Sequence, residues 1–399
     1  MADFGSTDAE AFRTEARDWL TANFPPSLAG VEVAMLNATG PVEGEALLWK
    51  QRMGEKGWGT PTWPREYGGG GLSPAQARIL QQEMNRVGAR NPIGGMGIMM
   101  FGPTLLEYGS EEQKQRHIPP ICRGEIRWCQ GYSEPGAGSD LAALQTRAED
   151  MGDHFLVNGQ KVWTSGAQYA DWCFCLVRTD FTTKHEGISF VLFDMKTPGV
   201  EVRPIKLISG NSPFCETFLT DVKVPKENLV GPLNGGWTIG KRLLQHERNS
   251  LSGGGGSAGR FASGTSLDKL AKTYVGVDET GRIADPDLRS RIIRHQMEAK
   301  AFMLTLMRAQ AEAKGGGGPS NATSIMKNVG SKVGQERAEL AVEIMGAQGL
   351  GWEGEGFTDK ELEQTRNWLG GKATTIYGGS AEIQNNIIAK RILGLLDHQ

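Results

Sequence analysis

The chain has no cysteine pair at metal or redox spacing, no long apolar run and no surplus of either charge. Its five cysteines include no CxxC motif, which argues against a metal or dithiol centre. Cys173 and Cys175 alternate along a strand-like run and read as core. No apolar stretch approaches membrane-spanning length. The first ten residues, MADFGSTDAE, are acidic and lack the basic-then-apolar order of a signal peptide. A net charge of −3 gives no general affinity for nucleic acid or anionic membrane. The glycine clusters at 253–256 and 315–318 lack the Lys-Ser/Thr of a phosphate-binding loop and its strand-to-helix context. The second precedes Pro319 and reads as a loop; the first falls where a helix would continue and predicts a weakened or bent helix. These absences predict a cytoplasmic protein with reduced thiols and no metal.

What is present has three parts. A chain of 399 residues is long for one core. In the first part, Phe12, Ala16, Trp19 and Leu20 fall at helical spacing. Ser73-Pro74-Ala75-Gln76 and Ser110-Glu111-Glu112-Gln113 read as helix starts with capping boxes. From Trp128 the pattern changes to strands: WCFCLVR, ISFVLFDM, VEVRPI and FLTDVKV, with Asn158-Gly159 reading as a hairpin turn. After Gly236 helical patterns return over 237–251, 286–313, 322–345, 358–369 and 380–395. The expected fold is α+β: an N-terminal helical domain (1–127), a middle β-barrel or sandwich domain (128–235) and a C-terminal four-helix bundle (236–399).

Two segments carry chemistry. Residues 130–140 read QGYSEPGAGSD and residues 160–166 read QKVWTSG. Each taken alone is a tight loop or a core aromatic. In this order and spacing they resemble the flavin-contacting segments of the acyl-CoA dehydrogenase family, and the helical–β–helical plan agrees over essentially the whole chain. The runs WCQGYSEPGAGSDLA and QYADWCFCLVRTD are similar to pimeloyl-CoA and steroid side-chain members. The resemblance implies FAD, contacted by Gln130, Tyr132, Ser133, Gly138, Ser139, Trp163, Thr164, Ser165 and Ser380. Ser133 would meet the flavin pyrimidine, Ser139 the pyrophosphate, and Trp163 would pack on the ring. A flat ring with a polar edge needs such an aromatic wall and such donors, and Gly136 and Gly138 allow close backbone approach.

The implied reaction is α,β-dehydrogenation of an acyl-CoA. A carboxylate takes the α-proton and a hydrogen-bond donor meets the thioester oxygen as charge develops there. Many family members carry the base in an IYEGT loop; here that loop is Ile376-Tyr377-Gly378-Gly379-Ser380. The side chain is gone, while the Gly378 N–H remains. Other members place the glutamate on the first long helix after the β domain, which here reads RLLQHERNSL. Glu247 lies three residues after Leu244 and four after Leu243, on a leucine face where desolvation would raise its pKa. The bland reading of Glu247 and Arg248 is a structural ion pair; with position 378 vacated, Glu247 is the expected base. Arg248, Gln245, Ser139, Tyr377, Gly378 and Gly379 are the expected substrate contacts. Glu382 has no catalytic place in the family pattern.

Two departures bear on partners. The family's RxxFG motif has no match in GVDETGRIADPDL, and its QxxGG motif reads Glu343-Ile344-Met345-Gly346-Ala347. A glutamate at that position would repel pyrophosphate. The expected assembly is a homo-oligomer or an α2β2 heterotetramer with a related subunit, reoxidised by an electron-transfer flavoprotein. An acyl-CoA oxidase, a flavin monooxygenase of the same fold and a non-catalytic partner subunit are the competing readings.

Overall fold

Helices precede the first strand. The computed structural model describes residues 6–34, 40–252, 266–314 and 323–395. They are α1 (Ser6–Asn23), α2 (Gly44–Glu55), α3 (Pro74–Arg86), α4 (Gly102–Tyr108) and α5 (Glu111–Cys122). Ser73 and Ser110 each accept from a backbone N–H while Gln76 and Gln113 reach back, so both expected capping boxes form. Phe12, Ala16 and Leu20 are buried against Trp49, Trp58 and Leu80. The buried Glu83 carboxylate accepts from Arg13, Arg17 and Arg86 and ties α1 to α3. The side-chain hydrogen bond from Arg17 leads the effects that hold its pKa down at about 2.

The strands are β1 (Trp128–Gly131), β2 (Arg147–Asp150), β3 (His154–Ser165), β4 (Trp172–Arg178), β5 (Ile188–Asp194), β6 (Val200–Ile205), β7 (Phe214–Pro225) and β8 (Leu229–Val230). They form one sheet in the order β6-β7-β3-β2-β4-β5-β8, with β1 parallel to β4. β4 is apolar on both faces because both are covered. Phe174 and Leu176 pack with Phe101, Leu105 and Ile118 of the helices, while Cys173, Cys175 and Val177 face Phe155, Val157 and Val191. All five cysteines are free thiols, buried in these layers.

Asn158-Gly159 is not a hairpin turn. β3 runs straight through it, and the turn lies earlier, at 151–153, where Gly152 has φ +95°. The pair is absorbed by an irregularity opposite β7, where Asp221 takes φ +50° and exchanges hydrogen bonds with Asn158. A Cβ on Gly159 would stand 2.5 Å from Thr146 Oγ1. Close strand packing, not a chain reversal, is what demands this glycine.

The helix α6 (Gly236–Ser252) follows the sheet, then α7 (Leu267–Tyr274), α8 (Pro286–Lys314), α9 (Thr323–Met345), α10 (Asp359–Gly371) and α11 (Ala381–Ile387). α7 was not legible as a helix, and the pattern expected over 380–395 is α11 running into a π-turn at Ile388–Ile392. Both glycine clusters lie outside the described residues. Backbone packing separates one unit (Met1–Ile205 with Pro213–Glu247) from a second (Lys206–Ser212 with Arg248–Gln399). In the second, Leu267, Ala271, Ile292, Leu340 and Ile344 form one core cluster and Phe302, Leu306 and Met326 another. No described helix is long and apolar enough to cross a membrane.

His117, on α5, sets an acid limit on the fold. It is buried, edge-on to Trp128 and Trp172. Burial, then the charge of Arg116, lowers its pKa from 6.5 to about 4. The folded state therefore favours the neutral ring. Its full contribution is present above pH 6.5 and is lost as pH falls toward 4, a total of about 3 kcal/mol. Glu83 acts lower: its folded pKa is about 2, so its contribution is lost as pH falls below about 4.5. Thermal midpoints should thus decline in two stages, and His117→Phe should flatten the stage between pH 6.5 and 4.5. Parallel pH profiles for the parent and His117→Phe would refute this assignment.

Candidate active site

The two motif segments are neighbours in the first unit, and a buried ion pair joins them. Lys161 of β3 donates to Glu134 Oε1 at 2.7 Å and to the Tyr132 carbonyl at 3.2 Å. Glu134 also accepts from the backbone N–H groups of Gln145 at 2.6 Å and Thr146 at 2.9 Å. Val162 N–H donates to the Ser133 carbonyl, and Glu134 and Ala137 exchange two backbone hydrogen bonds across the loop tip. Side-chain exposure is 1% for Lys161 and 8% for Glu134. Burial pushes the Glu134 carboxyl up, but the Lys161 charge and the hydrogen bonds outweigh it and leave the pKa below the ordinary value. Neither residue was singled out in the sequence, although each sits inside a quoted motif and their opposite charges were the available signal.

This clamp sets out the expected flavin contacts. Between Lys161 and Thr164 the pairing of β3 with β7 slips by one residue. Trp163 occupies the bulge with φ +61° and is 55% exposed, while Thr164 beside it is fully buried. A bulge re-aims a side chain, and a large aromatic held at positive φ is costly unless it has a task. Phe214 meets the Trp163 ring edge-on at 6.0 Å. Tyr132 is buried, Ser133 and Ser165 are half-buried, and Gly138 and Ser139 are exposed. A Cβ on Gly136 or Gly138 would meet nothing within 4 Å, so the chain's own packing does not demand glycine there. Among the described residues, Gln130 Nε2 and Thr164 Oγ1 are buried without a hydrogen-bond partner. An open aromatic face, small loop residues and unsatisfied polar atoms beside it are what a flat ring with a polar edge requires.

Arg178 steadies the neighbouring loops. Its buried guanidinium donates to the carbonyls of Ala142, Leu144, Thr183 and Lys184. On α6, Leu243 is fully buried and Leu244 packs against the same core. Arg242 and His246 both meet Glu107 of α4, at 2.7 and 3.2 Å. Gln245 is exposed and accepts from Arg242 at 3.0 Å, which fixes its side chain. Glu247 and Arg248 follow on the same helix backbone; their side chains lie outside the described residues.

In the second unit, Gly378 and Gly379 take φ +65° and +84° in succession. Tyr377, before them, is 45% exposed. Ser380 caps α11, accepting from Ile383 N–H at 3.4 Å, and after the hydrogen bond from Glu382's own backbone N–H, one from the Ser380 side chain helps hold the Glu382 carboxyl below its ordinary pKa. Glu382 lies in the first turn of α11. Glu343 is not a bare anion: Arg291 forks onto both of its oxygens from α8. The repulsion expected of it is therefore compensated within this unit. Among the described residues no group of three or more His, Cys, Asp or Glu side chains is placed to hold a metal ion.

Comparisons with known proteins bear on the three-part fold. The acyl-CoA dehydrogenase N-terminal domain matches residues 6–125, the middle domain 129–222 and the C-terminal domain 234–393. The acyl-CoA dehydrogenase IpdE1 of Mycolicibacterium smegmatis is 37% identical over 405 residues, spanning 97% of this chain and 98% of its own. The solved Tcur3481-Tcur3483 steroid ACAD superposes with a TM-score of 0.75 at 29% identity over all of both chains. A chain of the ChsE4-ChsE5 complex from Mycobacterium tuberculosis does so with a TM-score of 0.74 at 30% identity, again over all of both chains. The chain belongs to the acyl-CoA dehydrogenase family, whose members are FAD-dependent oxidoreductases.

Proposed function

We propose that this acyl-CoA dehydrogenase takes the α-proton of a bulky, ring-bearing acyl-CoA on Glu247 and works with a related but distinct subunit. The observation that carries the base assignment is the loop at 376–380. Gly378 supplies a backbone N–H in the left-handed region and no carboxylate, so the base must come from another element. Glu247 follows Leu243 by one turn on α6, where helix-borne bases stand in relatives. In this reading the Gly378 N–H donates to the thioester oxygen as it gains charge. Tyr377, Gly379, Ser139, Gln245 and Arg248 line the substrate. When bound, FAD supplies the acceptor for the β-hydride. Trp163 walls its ring, and Gln130, Tyr132, Ser133, Gly138, Ser139, Thr164, Ser165 and Ser380 offer polar groups or backbone to it. An electron-transfer flavoprotein is the proposed electron acceptor.

Three features support the partner and substrate classes. Ile293, Met297, Leu304 and Met307 form an exposed apolar stripe along α8, continued in kind by Ile325 and Val329 of α9. Glu343 is committed to Arg291 and does not offer the donor that the family's glutamine would. Two similar structures are described as pairs of different proteins, and one of these as a steroid enzyme.

The test is anaerobic flavin bleaching against butyryl-CoA, palmitoyl-CoA and a steroid side-chain acyl-CoA, with the chain alone and co-produced with a related subunit. The steroid thioester should bleach at least about tenfold faster than butyryl-CoA, since a mismatched apolar pocket discriminates by about 10–200-fold. Full flavin content should need the second subunit. A fully flavinated homo-oligomer that prefers butyryl-CoA would overturn both parts. Rapid peroxide formation in air would favour the oxidase instead.

A further inference from the structure

We propose that Lys327 is a positioning residue that aims and strengthens the Gly378 N–H. The inference rests on the reading of that N–H as the donor to the thioester carbonyl.

Lys327, Ser331, Gln335 and Glu339 recur every four residues on α9 and so form one stripe along it. Each meets the segment that leads to Gly378. Glu339 pairs with Lys372. Gln335 Nε2 donates to the carbonyls of Gly371 at 3.1 Å and Lys372 at 3.2 Å. Ser331 Oγ shares its one proton between the Lys327 carbonyl at 2.6 Å and the Thr374 carbonyl at 3.1 Å. Lys327 is the last rung: its Nζ donates to the carbonyls of Thr374 and Tyr377 and stands 5.0 Å from the centroid of the Tyr377 ring.

The Tyr377 carbonyl and the Gly378 N–H belong to the same planar trans peptide unit and point to opposite sides of it. Whatever fixes the carbonyl fixes the N–H. An ammonium on that carbonyl also draws electron density through the amide and makes the N–H a stronger donor. This control matters here because two successive glycines leave the backbone unusually free. The Gly378 N–H makes no backbone hydrogen bond among the described residues. Gln335 and the Glu339–Lys372 pair hold residues 371–372 without Lys327, so that part of the loop keeps its ties when Lys327 is changed. Lys327 therefore acts on the one peptide unit that faces the developing negative charge.

The test uses the flavin-loaded holoenzyme with Lys327→Met, Lys327→Gln and Lys327→Arg. The first readout is the kcat and KM split on the thioester turned over fastest in the panel above. The second is deuterium exchange at the α-carbon of the 3-thia analogue of that thioester, followed by NMR. That analogue can lose an α-proton but has no β-hydride to give, so exchange reports carbonyl activation apart from flavin reduction. Outright loss of an oxyanion donor costs roughly 10²–10³-fold; a weakened, poorly aimed one should cost about 10-fold in both exchange and kcat. KM and the thermal midpoint should hold. Lys327→Arg should recover most of the rate and Lys327→Gln part of it. If Lys327→Met loses flavin or stability, Lys327→Gln carries the comparison, because it keeps a donor and removes the charge. Parental exchange in Lys327→Gln and Lys327→Met, with exchange abolished in Glu247→Gln, overturns the role of Lys327 and leaves the base assignment standing. Exchange that survives Glu247→Gln yet falls in Lys327→Met overturns the base and keeps the role of Lys327. A parent enzyme that neither turns over nor exchanges overturns both.

Discussion

Glu247→Gln should slow flavin reduction by an acyl-CoA roughly 10²–10⁴-fold, the usual contribution of a positioned general base. Glutamine keeps the shape and hydrogen-bonding capacity of the side chain and removes its basicity. Flavin content and thioester affinity should change little, because Trp163 and the clamped motif loops are untouched and Arg248 remains. Rapid-mixing absorbance at saturating acyl-CoA reads the step directly. Near-parental bleaching would mean that another residue is the base. A companion variant, Glu247→Gln with Gly378→Glu, asks whether the loop can host the carboxylate again. Gly378 has φ +65°, and a side chain in the left-handed region costs roughly 1–2 kcal/mol. Partial recovery would support the shared target. Its absence would leave the single variant as the deciding result.

Most of the fold was legible because local chemistry and global packing point the same way. Ser73 and Ser110 announced helix starts, and the apolar run of β4 announced a core strand. The errors fall where tertiary contact overrides a local signal. Asn158-Gly159 is a strong turn pair in isolation. Here β7 continues alongside it, and Asp221 supplies the irregularity that accommodates it. α7 is only eight residues long, so its pattern had too few turns to stand out.

The candidate site was legible as motifs and not as mechanics. The run QGYSEPGAGSD marked the loop, yet a motif states which residues recur, not which one anchors the others. Glu134 read as one acidic residue among many until its partner across the sheet was known. The same holds for Lys327: its contacts lie 47 and 50 residues away along the chain, beyond the reach of helical or strand periodicity. Trp163 was anticipated as an aromatic wall. What turns it outward is the slip in register between β3 and β7, and hydropathy does not encode that slip.

Lys161→Met should destabilise the protein by about 3–5 kcal/mol, because breaking one side of a buried ion pair strands the other charge. Glu134 would keep its two backbone donors but lose the cation that compensates its burial. Flavin content should fall with it, since Lys161 also holds the Tyr132 carbonyl at the base of the loop. Stability and positioning can be separated with a double variant. Glu134→Gln with Lys161→Met removes both charges, retains an acceptor for the Gln145 or Thr146 N–H, and fills the lysine's space with apolar volume. Replacing a whole buried pair is often neutral for stability. The double variant should therefore regain most of the lost thermal midpoint while flavin retention stays low, because nothing then ties the Ser133–Asp140 loop to β3 through side chains. Thermal unfolding and flavin absorbance on the same samples give both numbers. If flavin content tracks stability through the parent and both variants, the pair is a structural staple alone. If Lys161→Met retains the parental midpoint, the pair does not hold the two motifs together. The expected pattern, stability restored without flavin, would show that the charges at 134 and 161 shape the cofactor loop itself.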